Sequence, residues 1–405
     1  MGSDSAAQYK SGSDPMKIIK VECIPVSIPF VKPIVMSGGP ATVADAVVLK
    51  IHTDEGVTGV AETGDTSLWY MGESQDSIMY NLTKVFAPQM LIGEDPFNIE
   101  IIVAKMDKAT RANSQSKALV DYALHDLMGK ALGVPVYKLL GGLSNPKIAL
   151  AFVMSSGTAE EVGAEGKALV EAGFRGLKLK VGAKSPEEDI DMIAALRDAV
   201  GNKAKIMIDA NGGWMYHEAL YLLQRVDKYD VYLCEQPVPW WDIDGLARLR
   251  RKVDVPIFAD ESAAELGHLL QIIEKDAADG FFLKVPKAGG ILKSRRWVTI
   301  AQAANMPVMC GCMVNSGLGS AAEAAFLGAT AWMGKIEQES IGPLNLYNIY
   351  DTVSGPIEND LAKKPPRYEN GFLYPPDGVG LGVELDEAAL EKLAAPGKEP
   401  VVIGK

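Results

Sequence analysis

Between Lys17 and Glu62 apolar and polar residues alternate through KIIKVECIPVSI, ADAVVLKIHT and VTGVAE, with breaks at Ser37-Gly38-Gly39-Pro40 and Asp54-Glu55-Gly56. A period of two interrupted by turn formers predicts a three-stranded meander. From about Ser74 to Leu139 the spacing lengthens to three and four, as in KALVDYALHDLMGKALG, where a glycine closes a helix. Residues 16–142 therefore read as an α+β cap. Beyond Gly141-Gly142 come eight short β-rich runs, LAFVMSS, GLKLKVG, KIMIDAN, YLCEQPV, PIFADES, GFFLKVP, PVMCGCMV and MGKIEQES. They alternate at nearly even spacing with amphipathic stretches such as EEDIDMIAALRDAV. Parallel strands need such helical crossovers, and eight units predict a closed β/α barrel over 143–345. An open doubly wound sheet would show a GxGxxG turn after an early strand, and the chain has none. The Pro- and Gly-rich stretch KKPPRYENGFLYPPDGVGLG and the helix-like DEAALEKLAA give 346–405 the character of a tail packing back on the cap. Residues 1–15 are small and polar without an apolar signal core, and read as an expression leader before a start at Met16.

At 405 residues the chain is long enough for one large domain and a smaller companion. Its net charge of −12, without a stretch dense in Lys and Arg, argues against nucleic acid or anionic membrane as a partner. An acidic protein that binds an anion must supply positive charge locally, and a divalent cation with a few lysines would do so. No apolar run reaches the roughly 18 residues of a membrane span, so a soluble protein is expected. The cysteines Cys23, Cys234, Cys310 and Cys312 are too few for a disulfide scaffold and suit a reducing cytoplasm. Cys310-Gly-Cys312 lies in an apolar run with no companion ligands nearby, and reads as buried thiols rather than a metal site.

In such barrels the active site forms at the carboxyl ends of the strands. Those ends carry Lys178-Leu179-Lys180, Asp209-Ala210-Asn211, Glu235-Gln236-Pro237, Asp260-Glu261-Ser262 and Lys284. Alternation puts Lys178 and Lys180 on one face, the barrel interior, where mutual repulsion is expected to depress the pKa of one and fit it to act as a base. Asp209, Glu235 and Asp260 come from consecutive strands and would repel unless a hard cation joined them, which suits Mg²⁺. A proton α to a carboxylate is very weakly acidic. The metal would neutralise the charge that its loss creates, and a lysine beside the α-carbon would take the proton. The histidines His52, His125, His217 and His268 lie away from these ends and are expected to be structural.

With these residues the chain resembles the enolase superfamily, and within it the muconate-lactonizing-enzyme subgroup, from about Met16 to the C-terminus. TDEGVTGVAE (53–62), DYALHDLMGKALGVPVYKLLGG (121–142) and GVGLGVELDE near the end are similar to that family's capping-domain and tail patterns. The resemblance implies a modified TIM-type (β/α)7β barrel under an α+β capping domain, and Mg²⁺ held by Asp209, Glu235 and Asp260. It also implies opposing acid/base lysines, Lys180 and Lys284, with Lys178 tuning Lys180 and the substrate carboxylate. Asn211 and Glu261 would support the ligands, or serve only as barrel rim. Glu339, before Ile341-Gly342-Pro343, resembles the acidic residue of the cycloisomerases. The Asp-x-Asp of the dipeptide epimerases is absent, which argues against dipeptides, although Glu337 and Glu339 remain candidates for meeting a cationic group. Pro29–Pro33 and Met36–Gly39 would form a loop over the pocket mouth, and Trp69, Tyr70, Trp214, Trp240 and Trp241 are candidate lining residues. A homo-oligomer follows from the resemblance alone. The expected reaction is racemisation or epimerisation of an N-substituted or proline-like amino acid, a small carboxylate. The same machinery would serve a dehydratase or a cycloisomerase, and a non-catalytic protein binding a metal or a small acid is the alternative from another class.

Overall fold

The computed structural model describes residues 15–36, 39–66, 68–346 and 359–404. The expected leader, apart from Pro15, and tail residues 347–358 lie outside the described residues. The strands β1 (Ile18–Met36) and β2 (Gly39–Thr53) form one long antiparallel hairpin, and β3 (Thr58–Glu62) pairs with β2. Of the stretch expected as a loop, Pro29–Pro33 and Met36 are instead carried within this hairpin, Ile34 opposite Ala41 and Met36 opposite Gly39, while Ser37 and Gly38 lie outside the described residues. A register irregularity between Pro29 and Ile34 takes up Pro29 and Pro33, which have no N–H to give the ladder. The cap helices used below are α1 (Leu68–Met71), α2 (Ile99–Ala109) and α3 (Ser114–Leu132). α3 lies so close to β3 that a Cβ at Gly59 would fall 2.1 Å from the Ala123 carbonyl oxygen.

The barrel contributes seven parallel strands in sequential order: β4 (Ala151–Met154), β5 (Gly176–Lys180), β6 (Lys205–Asp209), β7 (Val231–Glu235), β8 (Ile257–Ala259), β9 (Gly280–Leu283) and β10 (Val308–Cys310). The eighth run, 333–340, makes isolated ladder contacts in place of a full strand, because a 3₁₀ turn over Ala331–Lys335 and a helix beginning at Gly342 leave little extended chain between them. Within that short stretch Gln338 donates its N–H to Ala149 and accepts from Ala151, while Glu339 donates to Cys310. The Gln338 side chain adds Oε1 on the Cys310 N–H at 2.6 Å, so both edges of the sheet are joined through one short segment. Inside the ring, Ala151, Met207, Leu233, Phe258, Phe282 and Met309 make an apolar plug. The last strand, β11 (Val401–Gly404), pairs antiparallel with β1. Among the described residues no helix is long and apolar enough to cross a membrane.

Buried carboxylates bind the cap to two further barrel helices, α5 (Ile291–Ala303), which follows α4 (Leu266–Glu274), and α6 (Gly317–Ala329). Asp121 of α3 accepts the first N–H groups of α5, from Ile291 at 2.6 Å and Leu292 at 3.3 Å. Glu62, at the end of β3, accepts from the N–H groups of Ser316 and Gly319 at 3.0 Å and from the Ser316 hydroxyl, and so caps α6. Free helix N–H groups carry partial positive charge, which is why acids serve at both places. Glu323 of α6 completes the network through Ser340 and Asn315.

Burial raises Glu62 to about 7 and Glu323 to about 8. Both carboxyls therefore bind protons more tightly folded than unfolded, and the stability this confers below pH 4.5 is lost as pH climbs through those values. The metal-free protein should melt at a lower temperature at pH 8.5 than at pH 6 in a thermal scan, and a higher midpoint at pH 8.5 would contradict this balance.

Candidate active site

Three neighbouring strands place Lys180, Asp209 and Glu235 in one row. Lys180 is the register partner of Asp209, and Asp209 that of Glu235. The row sits above the apolar plug, and every residue of β5 is buried, as alternation inside a filled barrel requires. Lys180 Nζ donates to Asp209 Oδ2 at 2.6 Å and to Asn211 Oδ1 at 2.9 Å. One rung below, Lys178 binds Glu235 in a close ion pair, Glu339 at 2.7 Å and Asp209 at 3.4 Å, over the face of Phe282.

Asp260 stands just past the end of β8, and its position is set from the neighbouring strand. Gln236 Oε1 accepts the N–H groups of Asp260 at 3.0 Å and Ser262 at 3.1 Å, and its Nε2 donates to Val238 O and Ser262 Oγ at 2.8 Å. Gln236 does this from a left-handed backbone, φ 35°, a conformation non-glycine residues seldom hold outside tightly determined sites. The Asp260 carboxylate receives Lys284 at 3.1 Å, Lys287 at 2.6 Å and the Tyr70 hydroxyl at 2.6 Å. The Tyr70 ring lies 3.7 Å from Lys284 Nζ, a cation-π contact. Asn211 Nδ2 donates to Glu261 Oε1 at 3.0 Å, so both of these residues belong to the cluster.

Lys178 is not the lysine whose pKa is depressed. Burial acts in that direction, but Glu235, Glu339 and Asp209 around Lys178 outweigh it and hold Lys178 well above the usual ammonium range. Lys284 is likewise raised, burial being outweighed by Asp260, Glu235 and Glu261. Repulsion between lysines loses to nearer carboxylates. Burial pushes the Glu235 carboxyl up, Asp209 adding to it, whereas the cations Lys284 and Lys287 overcome burial at Asp260 and pull it down.

Glu337 is not available to the site, because it is tied to Lys205 at the opposite end of β6, at 2.9 Å. Of the candidate aromatics Tyr70 enters the cluster, through its hydroxyl on Asp260; Trp214 is buried against Asp189, and Trp69, Trp240 and Trp241 are exposed. Cys310 is buried, Cys312 half-buried, and both are free thiols. Sequence reasoning missed Lys287 and Gln236. The spacing of Lys287 three residues after Lys284 would have pointed to the first.

Among the described residues no group of three His, Cys, Asp or Glu side chains is gathered to hold a metal as it stands. Ammonium groups engage the carboxylates instead. Yet Glu235 Oε1 is buried without any hydrogen bond and Asp260 Oδ2 has only its ion pair with Lys284, and the donors are all oxygens, which fits a hard cation better than a soft one.

The chain matches the N-terminal domain of the mandelate racemase / muconate lactonizing enzyme family over residues 18–141, and an enolase C-terminal domain-like model over 161–389. It is 32% identical over 379 residues to the N-succinyl-L-Arg/Lys racemase of Bacillus cereus, covering 93% of this chain and 98% of that protein. A mandelate racemase/muconate lactonizing family protein from Azoarcus sp. EbN1 superposes with a TM-score of 0.90 at 49% identity, covering 96% of this chain and all of that one. A dipeptide epimerase from Cytophaga hutchinsonii, complexed with Mg and D-Ala-L-Val, gives 0.86 at 28% identity, covering 96% and 100%.

Replacing Lys178 with Met leaves Glu235 and Glu339 buried without their cation. Breaking a buried pair from one side costs about 3–5 kcal/mol. Urea unfolding of the metal-free Lys178→Met protein should show a loss of that order, and a loss under about 1 kcal/mol would mean the pair is not what balances these acids.

Proposed function

We propose that this chain, which belongs to the mandelate racemase/muconate lactonizing enzyme family of the enolase superfamily, racemises or epimerises a small carboxylate with Lys180 and Lys284 as its acid/base pair. Mg²⁺-dependent proton abstraction is the chemistry of the family, and the chain is an enzyme of the isomerase class. The observation that carries the finer reading is the order of residues across five adjacent strands. Lys180 closes one flank on Asp209, Lys284 closes the other on Asp260, and Glu235 stands between. A substrate carbon over the middle of this row meets one lysine on each side, which is the requirement for removing a proton from one face and returning it to the other.

Asp209, Glu235 and Asp260 would hold the Mg²⁺, which when bound neutralises the negative charge that develops on the substrate carboxylate. Asp260 is the principal anion that keeps the proton on Lys284, so a cation that engaged Asp260 would leave this lysine better able to act as a base. Lys178 neutralises Glu235 and Glu339 from below, and Gln236 fixes Asp260 against its neighbour.

The substrate class we propose is an N-substituted or proline-like amino acid. Glu339 is drawn to Lys178 and Glu337 to Lys205, so this segment offers little to a free α-ammonium. The likeness to a racemase of N-succinylated amino acids points the same way.

Proton exchange followed by NMR in D₂O with Mg²⁺, over N-acyl and N-methyl amino acids, proline derivatives, hydroxyprolines and muconates, tests this reading. Deuterium should enter the α-carbon with inversion. Lys180→Ala and Lys284→Ala should each reduce turnover by at least about a thousandfold with the metal still bound, whereas Glu235→Ala should act by weakening Mg²⁺ affinity. Loss of water or lactone formation would replace the racemase reading, and full activity in both lysine variants would end the two-base mechanism.

A further inference from the structure

Behind Tyr70 lies a cleft of about 470 Å³ between cap and barrel. The turn 110–113 and the start of α3 form one wall, and α4 and α5 the other. Its inner end touches Glu261 and Lys287. Neither Lys180 nor Lys284 lines it, so the cleft is separate from the acid/base pair and shares only a wall with the site.

Five basic side chains line this space against three carboxylates. Two of the five are committed elsewhere, Lys287 to Asp260 and Arg296 to Glu100. Of the remaining three, Lys117 and Lys293 share one acid, Asp107, at 3.0 Å and 2.5 Å from the same oxygen, and Arg111 lines the cleft beside them. Lys117 is only 4% exposed, and beyond Asp107 it donates to the Thr110 carbonyl at 2.8 Å. An ammonium has three donors, so one remains for a ligand in the cleft. Burial and the nearby Lys293 lower the Lys117 pKa despite the pair with Asp107. Exposed Arg111 leads into a turn whose next two residues, Ala112 and Asn113, are both left-handed at φ 54°. A nearly buried ammonium and a second lysine share Asp107, with Glu73 also acting on Lys117, while Arg111 adds a further positive charge to the cleft lining, and an anion would relieve that excess.

We propose that this cleft binds a small anion, a carboxylate or phosphate group, held by Lys117, Lys293 and Arg111. The site would take a compact ligand such as a dicarboxylate or a phosphorylated acid. It would communicate with the catalytic row through Tyr70 and Lys287, each 2.6 Å from Asp260.

Isothermal titration of the full-length, metal-free protein with succinate and with inorganic phosphate at low ionic strength tests the proposal without knowledge of the substrate. One saturable site per chain is expected for at least one probe, and the probe that binds tells carboxylate from phosphate. Arg111→Ala/Lys293→Gln, which alters the outer part of the cleft, should weaken binding at least tenfold while keeping the wild-type melting profile. Lys180→Ala/Lys284→Ala should bind as tightly as wild type. Absence of saturable binding in the wild type, unchanged binding in the cleft variant, or binding lost in the catalytic variant would each overturn the assignment, the last by placing the anion among the catalytic lysines.

Discussion

Three carboxylates at the ends of adjacent buried strands cannot stand alone, and much of this structure answers to that constraint. Asp209, Glu235 and Asp260 are each fully buried. Isolated ions in such a setting would cost far more than the stability of a typical domain can absorb. Four lysines converge in response: Lys178 and Lys180 from β5, and Lys284 and Lys287 from the turn after β9. The result is an ionic lattice with the carboxylates at its centre and a lysine on each flank. In the proposed function, the interactions that stabilise this lattice without metal are those that a cation must displace.

The cap answers a second constraint, the unpaired N–H groups where barrel helices begin. Asp121 and Glu62 reach from the cap to α5 and α6, so the cap is fastened by capping bonds as well as by apolar packing. That fastening fixes the turn bearing Tyr70 over the lattice, where its hydroxyl meets Asp260 and its ring covers Lys284. Fold and site are connected here through a handful of buried acids.

Much of the site was legible because its residues obey strand alternation. Lys178 and Lys180 fall on one face by parity, and the ends of successive runs carry Asp209, Glu235, Asp260 and Lys284. Gln236 and Lys287 escaped because each lies where alternation stops, one in a left-handed residue after β7 and the other in the helical turn Val285–Ala288. Tyr70 meets Asp260 across 190 positions of sequence, a pairing that only the docking of the cap reveals. The resemblance places a loop over Pro29–Pro33, whereas the sheet absorbs both prolines at an irregular register. Parity shows that two ammonium groups share a pocket, but not that Glu235, Glu339 and Asp209 gather around Lys178 and hold its pKa up.

In the proposed function the carboxylates of this lattice exchange ammonium partners for a divalent cation. Mn²⁺ provides a direct probe, since its EPR signal distinguishes free from bound ion. Titration of the metal-free protein should fill one site per chain, and Mg²⁺ should displace the bound Mn²⁺. If all the Mn²⁺ remained free, the lysine–carboxylate lattice would be the finished state of the protein and the proposed metal-assisted chemistry would be wrong.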